Sequence, residues 1–343
     1  MKSRLSLVVA LLCFAVSPVW PQGEEPAETT FVADVNLVNL LVTVKDAQGG
    51  PIADLSVEDF RVVDGGGERP ITVFERRTNR PLSVALMLDT SLSTAKELQF
   101  ERDAAKRFFS RLLGAGSHAD DRVAILQFSD YVEMLSGLTR SERRIEKAME
   151  RVSRGGGTSM YDSLYLAARQ LKGREGRRVM VVITDGGDTT SYISFQEALK
   201  TVHSVDAVIY GIIVIPIRSD AGRNTGGENA LKTLAANTGG MTFVQYANEN
   251  LDESFDQILE NLRTQYLIGY YPPERDSRTE IFRKVEVSVN RPGAQALSRN
   301  GYYVSAPPLN RTSKARVSIR PSPRPEAAPE AAEEAKSPKE PQP

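Results

Sequence analysis

The apolar residues of this chain change their spacing twice, which divides most of the sequence into three patterned stretches. Residues 30–76 alternate apolar and polar side chains in short runs between glycine-rich turns, as in an antiparallel sheet. Residues 82–262 alternate continuous apolar runs with helical periods, which predicts an α/β fold with a doubly wound, mostly parallel sheet. Residues 265–304 return to strand-like alternation. Because each flank is too short to bury its own core, we expect the two to pack together as a small β-sandwich into which the α/β segment is inserted.

The two ends of the chain differ from these stretches. Lys2 and Arg4 precede an apolar run over residues 5–16 that is too short to span a bilayer, which predicts an export signal. The one cysteine, Cys13, lies inside that run, so the exported chain would contain none. The last residues are rich in proline, glutamate and alanine, a composition that predicts no packed core. The predicted domains are therefore a signal peptide (1–22), an amino-terminal β region (23–81), the α/β domain (82–262), a carboxy-terminal β region (263–305) and a tail (306–343).

Composition limits the class of protein. A length of 343 residues is enough for two folded domains with tails, and 41% hydrophobic residues can form sizeable cores. The mean hydropathy of −0.31 excludes a polytopic membrane protein. The net charge is −1, from 43 basic and 44 acidic residues, which gives no reason to expect nucleic acid as a partner. We therefore expect no integral membrane span after removal of the signal.

Three short motifs put oxygen-bearing side chains at predicted strand ends and loops. Asp89-x-Ser91-x-Ser93 follows one apolar run, Gly-Gly-Gly-Thr ends at Thr158, and Asp185 follows a second apolar run. Open α/β sheets bind ligands at the carboxyl ends of their strands, so we expect these five side chains to converge in one crevice. Two carboxylates and three hydroxyls suit a hard divalent cation, Mg²⁺ first, with Mn²⁺ or Ca²⁺ as the alternatives. We also expect Asp89 to lie at a strand end outside the core.

Each motif also has an ordinary structural explanation. Thr94 and Glu97 match the capping-box pattern of a helix start. The triple glycine and Asp185-Gly186 are both common in turns. The occurrence of all three in order, each at an expected strand end or loop, favours the metal site. Asp188 is expected to be a solvated loop acid, with a supporting role behind the metal ligands as the alternative, and the polar insertion at residues 218–228 is expected to be a solvated loop.

In these motifs the chain resembles the von Willebrand factor A domain family, whose metal-ion-dependent adhesion site combines DxSxS, a later threonine and a strand-ending aspartate. Further likeness lies in the flanks, at Val42-x-Val44-x-Asp46, Tyr266-x-x-Gly269-Tyr270 and Gly301-Tyr302-Tyr303, which are similar to a bacterial subgroup of "VWFA-related domain" proteins. The resemblance implies strand order 3-2-1-4-5-6 with one antiparallel edge strand. It also implies that the serines and threonine coordinate the metal directly, that the acids act through water, and that an acidic group of a partner completes the coordination.

Binding is a better interpretation than catalysis. His118 and His203 are the only histidines, and each is explained as a surface or helix residue. The sequence has no P-loop, no nucleophile elbow and no cysteine nucleophile after signal removal. We therefore predict a secreted or periplasmic module, not an enzyme, that recognises a protein or peptide carboxylate through the metal. Two alternatives stay open: a metal-assisted phosphoesterase using the same oxygen shell, and a structural part of an envelope assembly with an idle metal site.

Overall fold

The computed structural model describes residues 37–76, 79–91, 98–215, 224–246, 251–273 and 282–304. All of them belong to one compact unit, Asn36–Pro343. The predicted export signal, the predicted tail, Ser93 and the predicted capping box at Thr94 and Glu97 lie outside the described residues. Within the described ranges no helix is both long and apolar enough to cross a membrane.

The elements follow the three predicted stretches in chain order. The amino-terminal flank contains β1 (Val38–Lys45), β2 (Phe60–Asp64), β3 (Gly67–Arg69) and β4 (Ile71–Glu75). The α/β segment contains β5 (Leu82–Asp89), α1 (Leu98–Leu112), β6 (Arg122–Phe128), β7 (Val132–Thr139), α2 (Glu142–Glu150), α3 (Met160–Leu171), β8 (Arg177–Thr184), α4 (Phe195–Ser204), β9 (Ala207–Ile215), α5 (Thr225–Asn237), β10 (Thr242–Tyr246) and α6 (Leu251–Thr264). The carboxy-terminal flank contains β11 (Tyr266–Tyr270), β12 (Phe282–Val289), β13 (Gln295–Leu297) and β14 (Gly301–Tyr303).

The central sheet has the predicted strand order. Its six strands run β10-β9-β8-β5-β6-β7, which is order 3-2-1-4-5-6 when the α/β strands are numbered along the chain. All pairs are parallel except β6 with β7, the antiparallel edge. Every residue of β5 is buried, because helices cover both faces of the sheet. The fold prediction is confirmed.

The two flanks form antiparallel sheets from strands of both chain ends. One sheet runs β13-β1-β11-β4 and the other β14-β12-β2-β3. Phe60 of the second sheet packs against Phe74 and Tyr266 of the first, with ring centroids 5.5 and 5.0 Å away. The Tyr266 hydroxyl donates to Ile52 O at 2.9 Å and accepts from Leu55 N at 3.1 Å. Neither flank could supply this shared core alone, which is the predicted β-sandwich.

The α/β segment leaves and re-enters the sandwich at one place. Glu75 at the end of β4 lies opposite Leu267 of β11 in neighbouring antiparallel strands. The chain therefore departs and returns side by side, as expected for an inserted domain. The exact domain boundaries, at residues 23, 82 and 263, stay a prediction.

The polar insertion differs from its prediction in its described part, and its residues 218–223 lie outside the described ranges. Its last residues are helical, because α5 begins at Thr225 and Asn224 caps it by accepting a hydrogen bond from Gly227 N at 3.0 Å. Two glycines in the first turn are poor helix formers, which is why the pattern placed the helix start at Asn229. A Cβ at position 227 would collide with the carbonyl oxygen of Gly186, so glycine is needed for this close approach.

The shared sandwich core predicts that the amino-terminal flank depends on the carboxy-terminal flank. A chain ended at Thr264 lacks β11, β12 and β13, so β1 and β2 lose all their partners except β3. We expect trypsin to cut this chain rapidly at Arg61 and Arg69, as followed by mass spectrometry. A chain ended at Val304 is the control and should protect both arginines. Equal protection of the two chains would show that the amino-terminal flank folds alone.

His203 lies in the last turn of α4, and its ring contacts the rings of Phe282 and Tyr303. Burial, with the nearby charge of Arg299, lowers the pKa of His203 from 6.5 to about 4. The folded state therefore holds this imidazole neutral, and its contribution to stability is complete above pH 6.5 and is lost as the pH falls toward 4. Lowering the pH from 7.5 to 5 should therefore reduce the free energy of unfolding by about 2 kcal/mol.

Urea unfolding of wild type and His203→Gln at the two pH values measures that loss. Wild type should lose about 2 kcal/mol more than the variant, because glutamine does not titrate. His118 is one-third exposed and provides the matched control, so His118→Gln should keep the wild-type pH dependence. Identical pH dependence in wild type and His203→Gln would contradict the buried, neutral imidazole.

Candidate metal centre

The candidate centre begins where two neighbouring parallel strands end. Asp89 is the last residue of β5, and Thr184 is the last residue of β8. Leu88 lies opposite Ile183 in the register of these strands, so Asp89 and Thr184 leave the sheet at the same level. The β-branched and aliphatic residues that precede both positions fix the strands in the core, and the polar side chains emerge at the carboxyl edge.

Asp89 is fully buried and held by hydrogen bonds. Its Oδ2 accepts from the Thr184 hydroxyl at 2.6 Å, and its Oδ1 accepts from Ser91 N at 2.9 Å. Thr184 Oγ1 in turn accepts from Gly186 N at 3.0 Å, which ties the strand end to the following turn. The expectation that Asp89 lies outside the core is wrong, because its side chain is fully buried at the end of β5.

The electrostatics of Asp89 favour a nearby positive charge. Burial raises the pKa of Asp89 to about 6, while hydrogen bonds from Thr184 and Ser91 lower it and the charge of Asp185 raises it. Asp185 is partly exposed and directly follows Thr184. A cation at this edge of the sheet would offset the charges of the two neighbouring carboxylates.

The glycine-rich loop brings Thr158 to the same edge. Gly155 N donates to Thr90 O at 2.8 Å, which joins this loop to the segment between Asp89 and Ser91. Thr158 is buried, and its N–H donates to Thr189 Oγ1 at 3.0 Å. A Cβ at position 155 would collide with the Ser129 side chain, so this close approach requires glycine. The loop is therefore fixed on both sides before any ligand binds.

Asp188 has a structural role that its sequence position did not reveal. It is partly buried, and its Oδ2 accepts hydrogen bonds from Tyr161 N at 2.9 Å and from the Ser191 hydroxyl at 2.6 Å. Tyr161 lies in the first turn of α3, where backbone N–H groups lack helical partners. The interpretation of Asp188 as a merely solvated loop acid is therefore wrong, since it fixes the helix that follows Thr158.

Sequence reasoning also missed two contributors from outside the motifs. Thr184 was expected only to end the strand before Asp185, yet it is the direct hydrogen-bond partner of Asp89. Glu228 is 2% exposed, and its backbone and Cγ lie against Gly186. Its Oε2 is 3.7 Å from Lys232 Nζ. The glycines that precede Glu228 were the only signal that a helix could approach so closely.

The donor chemistry of the centre suits a hard cation. The described candidate ligands are Asp89, Ser91, Thr158 and Asp185, all of which offer oxygen. Within the described ranges no group of three or more His, Cys, Asp or Glu side chains is arranged to hold a metal ion. A metal at this edge would therefore need the hydroxyl groups as well as the two carboxylates, which fits Mg²⁺ and not a soft cation.

One family model and several solved structures are similar to part of this chain. A family model described as von Willebrand factor type A domain matches residues 84–187, a range that contains all four described candidate ligands. No curated protein matches the chain.

Among solved structures, the vWF domain of the type V pili tip protein Mfa5 from Porphyromonas gingivalis is 13% identical, covers 54% of this chain and 96% of that chain, and has a TM-score of 0.46. The conserved hypothetical protein BatB from Bacteroides thetaiotaomicron is 21% identical, with 53% and 100% coverage and a TM-score of 0.41. A von Willebrand factor type A protein from Catenulispora acidiphila is 14% identical, with 71% and 75% coverage and a TM-score of 0.43.

The hydrogen bond between Thr184 and Asp89 can be tested without metal. Thr184→Val keeps the side-chain shape but removes a donor from a buried carboxylate, which should lower the unfolding free energy by about 1–3 kcal/mol in chelator at pH 7.5. Thr233→Val is the matched control, because Thr233 is exposed on α5, and it should change stability by less than about 0.5 kcal/mol. Equal urea midpoints for the two variants would contradict the geometry at the strand ends.

Proposed function

Because the chain carries a von Willebrand factor type A domain, we propose that it binds a protein partner through a divalent cation held at the carboxyl edge of its central sheet. Domains of this family generally mediate protein interactions and adhesion. The observation that carries the proposal is the buried carboxylate of Asp89, which lies beside Asp185 among hydroxyl groups at the strand ends. We propose Asp89, Ser91, Ser93, Thr158 and Asp185 as the metal-binding residues.

The proposed cation is Mg²⁺, with Mn²⁺ or Ca²⁺ as substitutes, because every proposed ligand atom is oxygen. When bound, the metal supplies a positive charge and an open coordination position for an acidic side chain of the partner. The residues of this chain hold the ion and orient the edge: Thr184 fixes the Asp89 carboxylate, and the loop that begins at Gly155 fixes Thr158. A partner that offers a carboxylate, and no nucleic acid, is the ligand that this chemistry recognises.

An exported location completes the proposal. The charged and apolar pattern of residues 1–22 supports a signal peptide, and a protein that meets its partner outside the cytoplasm needs one. We therefore propose a secreted or periplasmic protein.

Catalysis is less well supported than binding. His118 precedes β6 and His203 lies in the last turn of α4, which precedes β9, so both histidines lie near the amino-terminal edge of the sheet. Neither is placed to serve as acid or base at the carboxyl edge, where a phosphoesterase would need one. The proposed role is accordingly that of a binding module.

Metal binding should raise the melting temperature, because the ion binds the folded state alone. At a Mg²⁺ concentration 100 times the dissociation constant, the gain is about 2.7 kcal/mol, or about 5–10 °C for a domain of this size. Asp89→Asn keeps the shape of the buried side chain and should abolish the rise. Asp120→Asn, on an exposed loop at the other edge, is the matched control and should keep it. Zn²⁺ should show no special preference over Mg²⁺ or Mn²⁺.

The same variants test partner recognition in an affinity pull-down from the native extracytoplasmic fraction. Capture of the partner in Mg²⁺ should be lost in chelator and in Asp89→Asn, and kept in Asp120→Asn. A melting temperature indifferent to Mg²⁺, Mn²⁺, Ca²⁺ and chelator would refute the metal centre. A partner whose capture survives chelation would instead favour the structural role with an idle metal site, and turnover of generic phosphate esters would favour the phosphoesterase.

A further inference from the structure

Two adjoining cavities lie at the opposite edge of the central sheet from the candidate metal centre. Their volumes are about 130 Å³ and 330 Å³, and both are lined by Asn39, His203, Asp206 and Arg299. We call them together the basic cleft. Arg177 begins β8 and lines the smaller cavity, whereas Thr184 ends that strand at the metal centre, so the two sites are about 20 Å apart.

Arginine dominates the charge of the basic cleft. Among the described residues that line it, Asp206 is the one carboxylate, against five arginines: Arg80, Arg177, Arg178, Arg283 and Arg299. Arg80 pairs with Glu75 on the surface, and Arg299 bonds Asp206 and Asn39 O. The Nε of Arg283 lies 3.9 Å from Oδ1 of buried Asp64. Arg177 donates to the backbone oxygens of Arg80 and Leu262, which leaves its charge without a carboxylate in hydrogen-bond contact within the described residues. The walls therefore carry an excess of positive charge.

Three buried nitrogens of the cleft have no hydrogen-bond partner within the part of the chain that the structure describes. They are Nε of Arg178, Nε of Arg299 and Nε2 of His203. His203 is only 4% exposed, so water reaches its ring poorly. Buried polar groups are normally satisfied, and each one left without a partner costs free energy. The two arginine Nε–H groups can only donate, so they indicate a ligand that accepts hydrogen bonds, and Nε2 of the neutral His203 ring joins them as a donor in one tautomer.

We propose that the basic cleft binds a small ligand that carries an oxyanion on a body about the size of one sugar ring. The planar guanidinium groups match the geometry of phosphate, sulfate and carboxylate. The larger cavity lies at the lower end of the range of ligand pockets, which suits a monosaccharide-sized body. The Tyr302 and Tyr303 side chains line the same cavity and offer ring surfaces to such a body.

The ligand would contact both parts of the fold. Arg178 comes from β8 and His203 from α4 of the α/β segment, whereas Arg299 lies two residues before the last strand of the sandwich. A bound oxyanion would therefore hold the sandwich against the amino-terminal edge of the central sheet and stabilise the folded chain. This site needs no metal and is independent of the function proposed above.

Calorimetry and thermal shifts with the full chain in chelator test the proposal. The probes are glucose 6-phosphate, glucose 6-sulfate and glucuronate, with inorganic phosphate and glucose for comparison. At least one anionic sugar should bind saturably and raise the melting temperature, and glucose should do neither. Arg178→Gln and His203→Gln should weaken binding at least tenfold, while Arg143→Gln, an exposed arginine on α2, should bind as wild type does.

The other outcomes are equally informative. Unchanged binding in Asp89→Asn separates the cleft from the metal centre. Inorganic phosphate that binds as tightly as the sugars would support the oxyanion site and overturn the sugar-sized body. No binding of any anionic probe at 10 mM, or equal affinity in wild type, Arg178→Gln and His203→Gln, would overturn the proposal.

Discussion

The hydrogen bond between Thr184 and the buried Asp89 carboxylate joins the two strand ends on which the candidate metal centre depends. A carboxylate with no exposed surface is unfavourable unless neighbouring groups stabilise it, and here a hydroxyl and a backbone N–H do so. The loop that carries Thr158 is attached to the same segment through Gly155 N and Thr90 O. Three distant parts of the sequence are thus fixed at one edge by a few hydrogen bonds, before any ligand is considered.

Much of this arrangement could be predicted from the sequence, because the apolar runs before Asp89 and Asp185 could only be buried parallel strands. The shared sandwich of the two flanks also followed from the sequence, since neither flank has enough apolar surface for a core. The strand order followed from the resemblance to the von Willebrand factor A domain family. Prediction from the sequence failed where a contact depends on the close approach of segments that are distant in the chain. The start of α5 was missed because glycines that look unsuited to a helix allow it to pack on Gly186.

Other features left no local signal at all. Asp188 looks like an ordinary loop acid, and only the fold shows that it accepts hydrogen bonds from the first turn of α3. The five arginines of the basic cleft come from four separate places in the chain and form no motif. Sequence patterns identify groups that lie at strand ends, whereas a cleft between two packed parts of a fold appears only when both parts are in place. The molecule thus has polar sites at both edges of one sheet, a hydroxyl and carboxylate centre at one and a basic cleft at the other.

Anomalous diffraction from crystals grown with Mn²⁺ tests the central claim most directly, because it locates the ion without reference to a partner. One strong peak is expected at the carboxyl edge of the central sheet, bounded by Asp89, Ser91, Thr158 and Asp185. The Asp89→Asn variant should lack this peak. A crystal with ordered loops at this edge and no peak there at a Mn²⁺ concentration that saturates typical oxygen sites would contradict the claim.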